Sequence, residues 1–123
     1  MKKQRPVFLN LTQIRFPLPA IVSILHRISG VLLFLFIPFV LAALHYSLSS
    51  ESDFQSLVAF LHEPLPFILT WGFVAALLYH LLAGIRHLLM DKGFAETRSG
   101  ARKTAWVVIV LAVVLIVLAG IWL

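Results

Sequence analysis

Three long apolar runs leave this chain few ways to fold. They extend from about Ala20 to Leu44, from about Leu65 to Met90 and from Thr104 to Leu123, and the last contains no charged residue. A helix needs about 20 residues to cross the hydrocarbon core of a bilayer, and each run reaches that length. Lipid offers no hydrogen-bond partner to a backbone N–H or C=O, so such runs are stable there only as helices. A soluble fold fails on area. Of the 123 residues, 61% are hydrophobic and 12% charged, against roughly 25% charged in an ordinary soluble domain. So short a chain would expose apolar patches large enough to drive association in water. The expectation is an all-α integral membrane protein with three transmembrane helices, placed at 20–46, 64–90 and 104–123. Pro17 and Pro19, and again Pro64 and Pro66, stand where the first and second helices would begin, since proline's missing N–H is tolerated in a first turn. Pro38 lies inside the first span and is expected to kink it.

Lysine and arginine set the orientation. The segment 1–19 carries Lys2, Lys3, Arg5 and Arg15, and the connection 91–103 carries Lys92, Arg98, Arg102 and Lys103. The connection 47–63 has neither, but holds Glu51, Asp53 and Glu63. Basic residues gather on the cytoplasmic side. The amino terminus and the second connection are therefore expected in the cytoplasm, and the first connection and carboxyl terminus on the opposite face. The net charge of +5 flanks the apolar runs, which argues for a bilayer and against a nucleic-acid partner. No signal peptide is expected, because polar and proline-containing sequence follows MKKQRP as far as Pro19. The absence of cysteine excludes disulfides, thiolate zinc sites and cysteine-held iron–sulfur clusters within this chain. An odd number of spans disfavours two inverted transporter repeats.

Ionisable residues inside a span are costly and mark function. One group is SILHRISG, Ser23 to Gly30. Ser23 and Arg27 are four apart and share a helix face, where a hydroxyl and a guanidinium can donate to a carbonyl or carboxylate oxygen. The structural alternatives are an arginine that snorkels to the headgroups and a serine bonded to its own helix. The second group is YHLLAGIRHLLMD, Tyr79 to Asp91. His80, Gly84, His87 and Asp91 form one helical stripe. His80 lies about 16 Å along the helix from Asp91, roughly mid-membrane. An imidazole there is either an axial ligand to haem iron or an interhelical hydrogen-bonding group. Gly84 leaves room on that face for a flat macrocycle, while Arg86 and His87 are expected to meet haem propionates or lipid phosphates. His80 and His87 cannot share one iron, being about 10 Å apart along one helix. His26, or a residue of another chain, remains open as a second ligand. His45 and His62 are read as interfacial, and Trp71, Trp106 and Trp122 as interface anchors or interhelical packing.

KKQRP at 2–6, IRFP at 14–17, SILHRISGV at 23–31 and YHLLAGIRHLLMD at 79–91 together resemble the cytochrome b membrane anchors of succinate dehydrogenase. The likeness covers almost the whole chain. It implies a bacterial inner-membrane subunit, half of a six-helix anchor completed by a second anchor subunit. That anchor carries an iron–sulfur subunit and a flavoprotein subunit at the cytoplasmic face. It implies one haem b shared between the two anchors, with His80 as an axial iron ligand and His26, Arg27 and His87 near the propionates. Ser23 and Arg27 match the residues that contact ubiquinone. The chain would have no catalytic residues of its own, but would help pass electrons from succinate to quinone. An anchor of a fumarate reductase-type enzyme and a haem-free structural protein are the alternatives.

Overall fold

The helix boundaries follow local chemistry. In the computed structural model, which describes Asn10 and residues 12–123, helix α1 spans Leu18–Ser47, α2 Glu51–Leu61, α3 Pro64–Asp91 and α4 Arg98–Trp122. KKQRP, with Lys2, Lys3 and Arg5, falls outside the described residues. Helices α1 and α3 each begin with proline in the first turn, where that residue's fixed φ is already helical. Helix α1 continues through Pro38 to Ser47. Three helices, α1, α3 and α4, are long and apolar enough to cross a membrane. No strand occurs among the described residues.

The expected loop at 47–63 contains a helix. The Ser50 side chain accepts a hydrogen bond from the Asp53 N–H at 3.0 Å and caps α2, satisfying a donor that the helix itself cannot. Glu51 and Asp53 place negative charge in its first turn, which complements the helix dipole. The signal was present in the sequence. Phe54, Leu57, Val58 and Leu61 recur at helical spacing behind a serine, but Ser47, Ser49, Ser50 and Ser52 read as an irregular polar segment. The second connection is shorter than 91–103. Arg98, Arg102 and Lys103 belong to the first two turns of α4, ahead of its apolar stretch.

Gly93 ends α3. Its N–H reaches the Met90 carbonyl at 2.9 Å and the Phe94 N–H reaches the Leu89 carbonyl at 3.1 Å. This is the Schellman closure, and it requires the left-handed backbone that Gly93 adopts at φ 90. Thr97 then caps α4 by accepting from the Gly100 N–H at 3.0 Å.

The interior of the bundle is small. Val22, Ala83, Ala105 and Val108 form its buried centre. Small residues suit a bundle in lipid, where close approach of the helices replaces hydrophobic burial as the driving force. Polar ties between helices fasten it, two of them from aromatic side chains. The Tyr79 hydroxyl donates to the Val22 carbonyl of α1 at 2.7 Å. The Trp71 indole donates to the Ile116 carbonyl of α4 at 2.8 Å, and Gly120 leaves space for the ring. Trp71 thus packs between helices, whereas Trp106 and Trp122 are exposed.

Candidate functional site

The pitch of α3 brings His80, Gly84 and His87 to one face, opposite His26 and Gly30 of α1. The His26 and His80 rings stack with centroids 4.1 Å apart and planes 11° from parallel. His87 lies beyond, tilted 49° to His26 at 5.1 Å. Two glycines make this approach possible. A Cβ on Gly30 would stand 3.1 Å from His80 Cε1, and one on Gly84 would stand 3.3 Å from His26 Nε2. Three of the expected site residues, on two helices, are therefore in one cluster.

Hydrogen bonding fixes the His80 tautomer. The Ser29 hydroxyl donates to the His26 carbonyl at 2.7 Å. His80 Nδ1 lies 3.0 Å from that hydroxyl oxygen and 3.1 Å from the same carbonyl. A carbonyl only accepts, and the serine proton is already committed to it. Nδ1 therefore carries the imidazole proton, and Nε2 keeps the lone pair. Both of His80's hydrogen bonds among the described residues are made by Nδ1. No fully shielded side-chain nitrogen or oxygen among the described residues lacks a partner, so Nε2 retains accessible surface. Sequence reasoning did not single out Ser29. Its place three residues after His26 was visible, but that it faces α3 was not.

This donor set fits a haem. A neutral imidazole held through Nδ1–H, with Nε2 free of a partner among the described residues, could hold a haem iron. An apolar groove of about 430 Å³ runs between α1 and α3, lined by Gly30, Leu33, Phe34, Ile37, Phe73 and Leu77. Gly30 belongs both to this groove and to the contact with His80. His26 cannot be the opposite ligand as it is placed. Metal–nitrogen bonds of about 2 Å on either side of an iron put the two ring centres roughly 6 Å apart, and face-to-face stacking at 4.1 Å is too close. His80 would be the residue that holds the iron, with its Nδ1 already engaged by α1. No group of three or more histidine, cysteine or acidic side chains able to hold a bare metal ion occurs among the described residues. A larger apolar groove, of about 920 Å³, lies between α1, α2 and α3. Its lining includes Tyr46, Ser56 and Thr70; neither groove is lined by a histidine, and Gly30 alone joins the smaller one to His80.

The remaining site residues, Ser23 and Arg27, flank His26 on α1. Ser23 is half-buried and Arg27 exposed, one turn apart. Arg27 lies nine residues into α1, about 14 Å from its start. Arg86 departs from expectation. It turns away from the histidine face and is 5% exposed. Its Nε donates to Thr104 Oγ1 and one terminal nitrogen donates to the Ala101 carbonyl, each at 3.1 Å. Both partners are on α4, so Arg86 ties two helices. The stripe from His80 to Asp91 had shown one face of α3; Arg86 belongs to another, six residues from His80 and about 120° from it on the helical wheel.

Residues 1–119 match the family described as succinate dehydrogenase/fumarate reductase transmembrane subunit. The chain belongs to that family. It is similar over its full length to the succinate dehydrogenase cytochrome b556 subunit of Coxiella burnetii, at 44% identity over 100% of this chain and 99% of the relative. The corresponding cytochrome b556 subunit of Paracoccus denitrificans is 38% identical over 93% of this chain and 88% of the relative. The succinate dehydrogenase cytochrome b560 subunit of Reclinomonas americana is 31% identical over 98% and 88%. As a member of this transmembrane-subunit family, the chain is a membrane subunit of an oxidoreductase complex. The expected all-α fold with three membrane-spanning helices stands.

Proposed function

We propose that this chain is a cytochrome b anchor that holds one side of a haem b and forms part of a ubiquinone-reduction site, in a complex that oxidises succinate. The observation that carries this reading is the state of His80: Nδ1 is pinned by Ser29 and the His26 carbonyl, which leaves Nε2 to coordinate. The opposite ligand is proposed to come from a second anchor subunit, a reading supported by the close stacking of His26 on His80. An iron–sulfur and a flavoprotein subunit complete the complex at the cytoplasmic face of a bacterial inner membrane, where the basic residues of this chain gather. A bound haem supplies one-electron storage with no open coordination position for substrate.

His26, Arg27 and His87 are proposed to face the propionates, the two histidines being already beside His80. Ser23 and Arg27 are proposed to hold ubiquinone. Arg27 favours negative charge on a quinone oxygen as it is reduced, and Ser23 donates a hydrogen bond. A fixed cation in a site of low dielectric stabilises such charge far more than it does in water. The family description names fumarate reductase beside succinate dehydrogenase, so the anchor of a fumarate reductase-type enzyme is the second reading. The relatives' names favour the first.

The test is a dithionite-reduced minus oxidised visible spectrum of the assembled complex. A b-type band that disappears in His80→Ala is the expected result. An assembled His80→Ala complex with its band unchanged would remove His80 as ligand.

A further inference from the structure

Ser29 is 5% exposed, one of only two buried polar residues among those described. It lies in the middle of α1, where a serine normally does no more than donate to a carbonyl of its own helix. It does that here, donating to His26. But the same oxygen also stands 3.0 Å from His80 Nδ1 on the neighbouring helix. Because its proton goes to the carbonyl, the oxygen faces His80 as an acceptor. Donation polarises the hydroxyl and makes it a better acceptor. The His80 N–H is thus held between two oxygens, both supplied by one turn of α1.

We propose that Ser29 is a positioning residue for His80. It fixes the ring's rotation and tautomer and strengthens Nε2 as an electron donor. The inference rests on the reading of His80 as an iron ligand. Partners of this kind orient a ligating histidine and raise its basicity, and losing one typically costs 10–100-fold in metal affinity. A more basic ligand favours ferric over ferrous iron. Ser29 therefore holds the potential of the bound group down, and its removal should raise it.

The experiment uses the whole complex, with Ser29→Ala and Ser29→Thr beside wild type. Three properties are measured: midpoint potential by redox titration, ferric electron paramagnetic resonance, and haem lost to an excess of apomyoglobin. Ser29→Ala is expected to assemble and keep its haem. Its potential should rise, its resonance positions should shift as the ring is freed, and its haem loss should increase about tenfold. If that tenfold falls wholly on the ferric form, the rise is about 59 mV for one electron. Ser29→Thr keeps the hydroxyl and should restore all three. Should Ser29→Ala not assemble, the same measurements on Ser29→Cys decide, since sulfur is a weaker acceptor of similar size. An assembled Ala or Cys variant with wild-type potential, resonance and haem retention overturns the proposal, and the hydroxyl then serves only its own helix. Failure of the underlying reading is a separate result: His80→Ala would keep the wild-type spectrum.

Discussion

His26 and His80, from different helices, lie face to face with ring centres 4.1 Å apart, and the backbone turn that carries His26 also accepts the proton of His80. One turn of α1 therefore shapes both the face and the edge of the proposed ligand. Gly30 is where this arrangement is tightest. A methyl there would stand 3.1 Å from His80 Cε1, a distance that forces the ring to give by a few tenths of an ångström. Gly30→Ala is expected to lower the haem content of the purified complex. Gly30→Val should abolish haem binding, because a branched side chain cannot be absorbed by so small a shift. Haem per complex by pyridine haemochrome assay checks this, and full haem content in an assembled Gly30→Val complex would refute it.

Arg86 makes a different prediction from the one its sequence position suggested. Its two bonds to Thr104 and Ala101 hold the start of α4 against α3. Arg86→Met removes both, at a cost of about 1–3 kcal/mol, while the Thr104 hydroxyl keeps its own bond to the Ala101 carbonyl. The complex should melt at lower temperature in detergent, while any assembled fraction keeps a normal haem spectrum. A changed spectrum with unchanged melting would instead place Arg86 at the haem.

The end of α3 offers a purely conformational test. Gly93 sits at φ 90, a region that an L-residue with a side chain enters at about 1 kcal/mol. Gly93→Ala is expected to cost about that much stability and to speed hydrogen exchange at the Gly93 and Phe94 amides, whose bonds close the helix. Unaltered exchange there would show that the closure does not depend on glycine.

These residues also show what was legible without coordinates. The spans followed from the length of the apolar runs, because lipid permits little else. The stripe His80, Gly84, His87 followed from helical pitch alone. Helix α2 needed only its cap and its four apolar residues, but its serines also suit a loop, and propensity over 11 residues is too weak to decide. Three things could not be read at all: the facing of Arg86, the contact of Ser29 with His80, and the stacking of His26 on His80. Each depends on the rotation of one helix against another. Periodicity fixes which residues share a face but says nothing of which faces meet.

Arg27 provides the test of the quinone proposal. It is exposed on α1, one turn from Ser23 and beside His26 in sequence. On the proposed reading, a positive charge there should act on the reduction of quinone and not on the oxidation of succinate, which is assigned to other subunits. Arg27→Ala is expected to lower quinone reduction about 100-fold, the scale of losing one group that stabilises developing negative charge. Succinate oxidation with a soluble dye should persist at the wild-type rate. Arg27→Lys keeps the charge without the planar fork and should fall between the two. Ser23→Ala, which removes a neutral donor, should cost less than Arg27→Ala. Parallel loss of dye and quinone activity would point to failed assembly. Wild-type quinone reduction in an assembled Arg27→Ala complex would move the quinone site elsewhere.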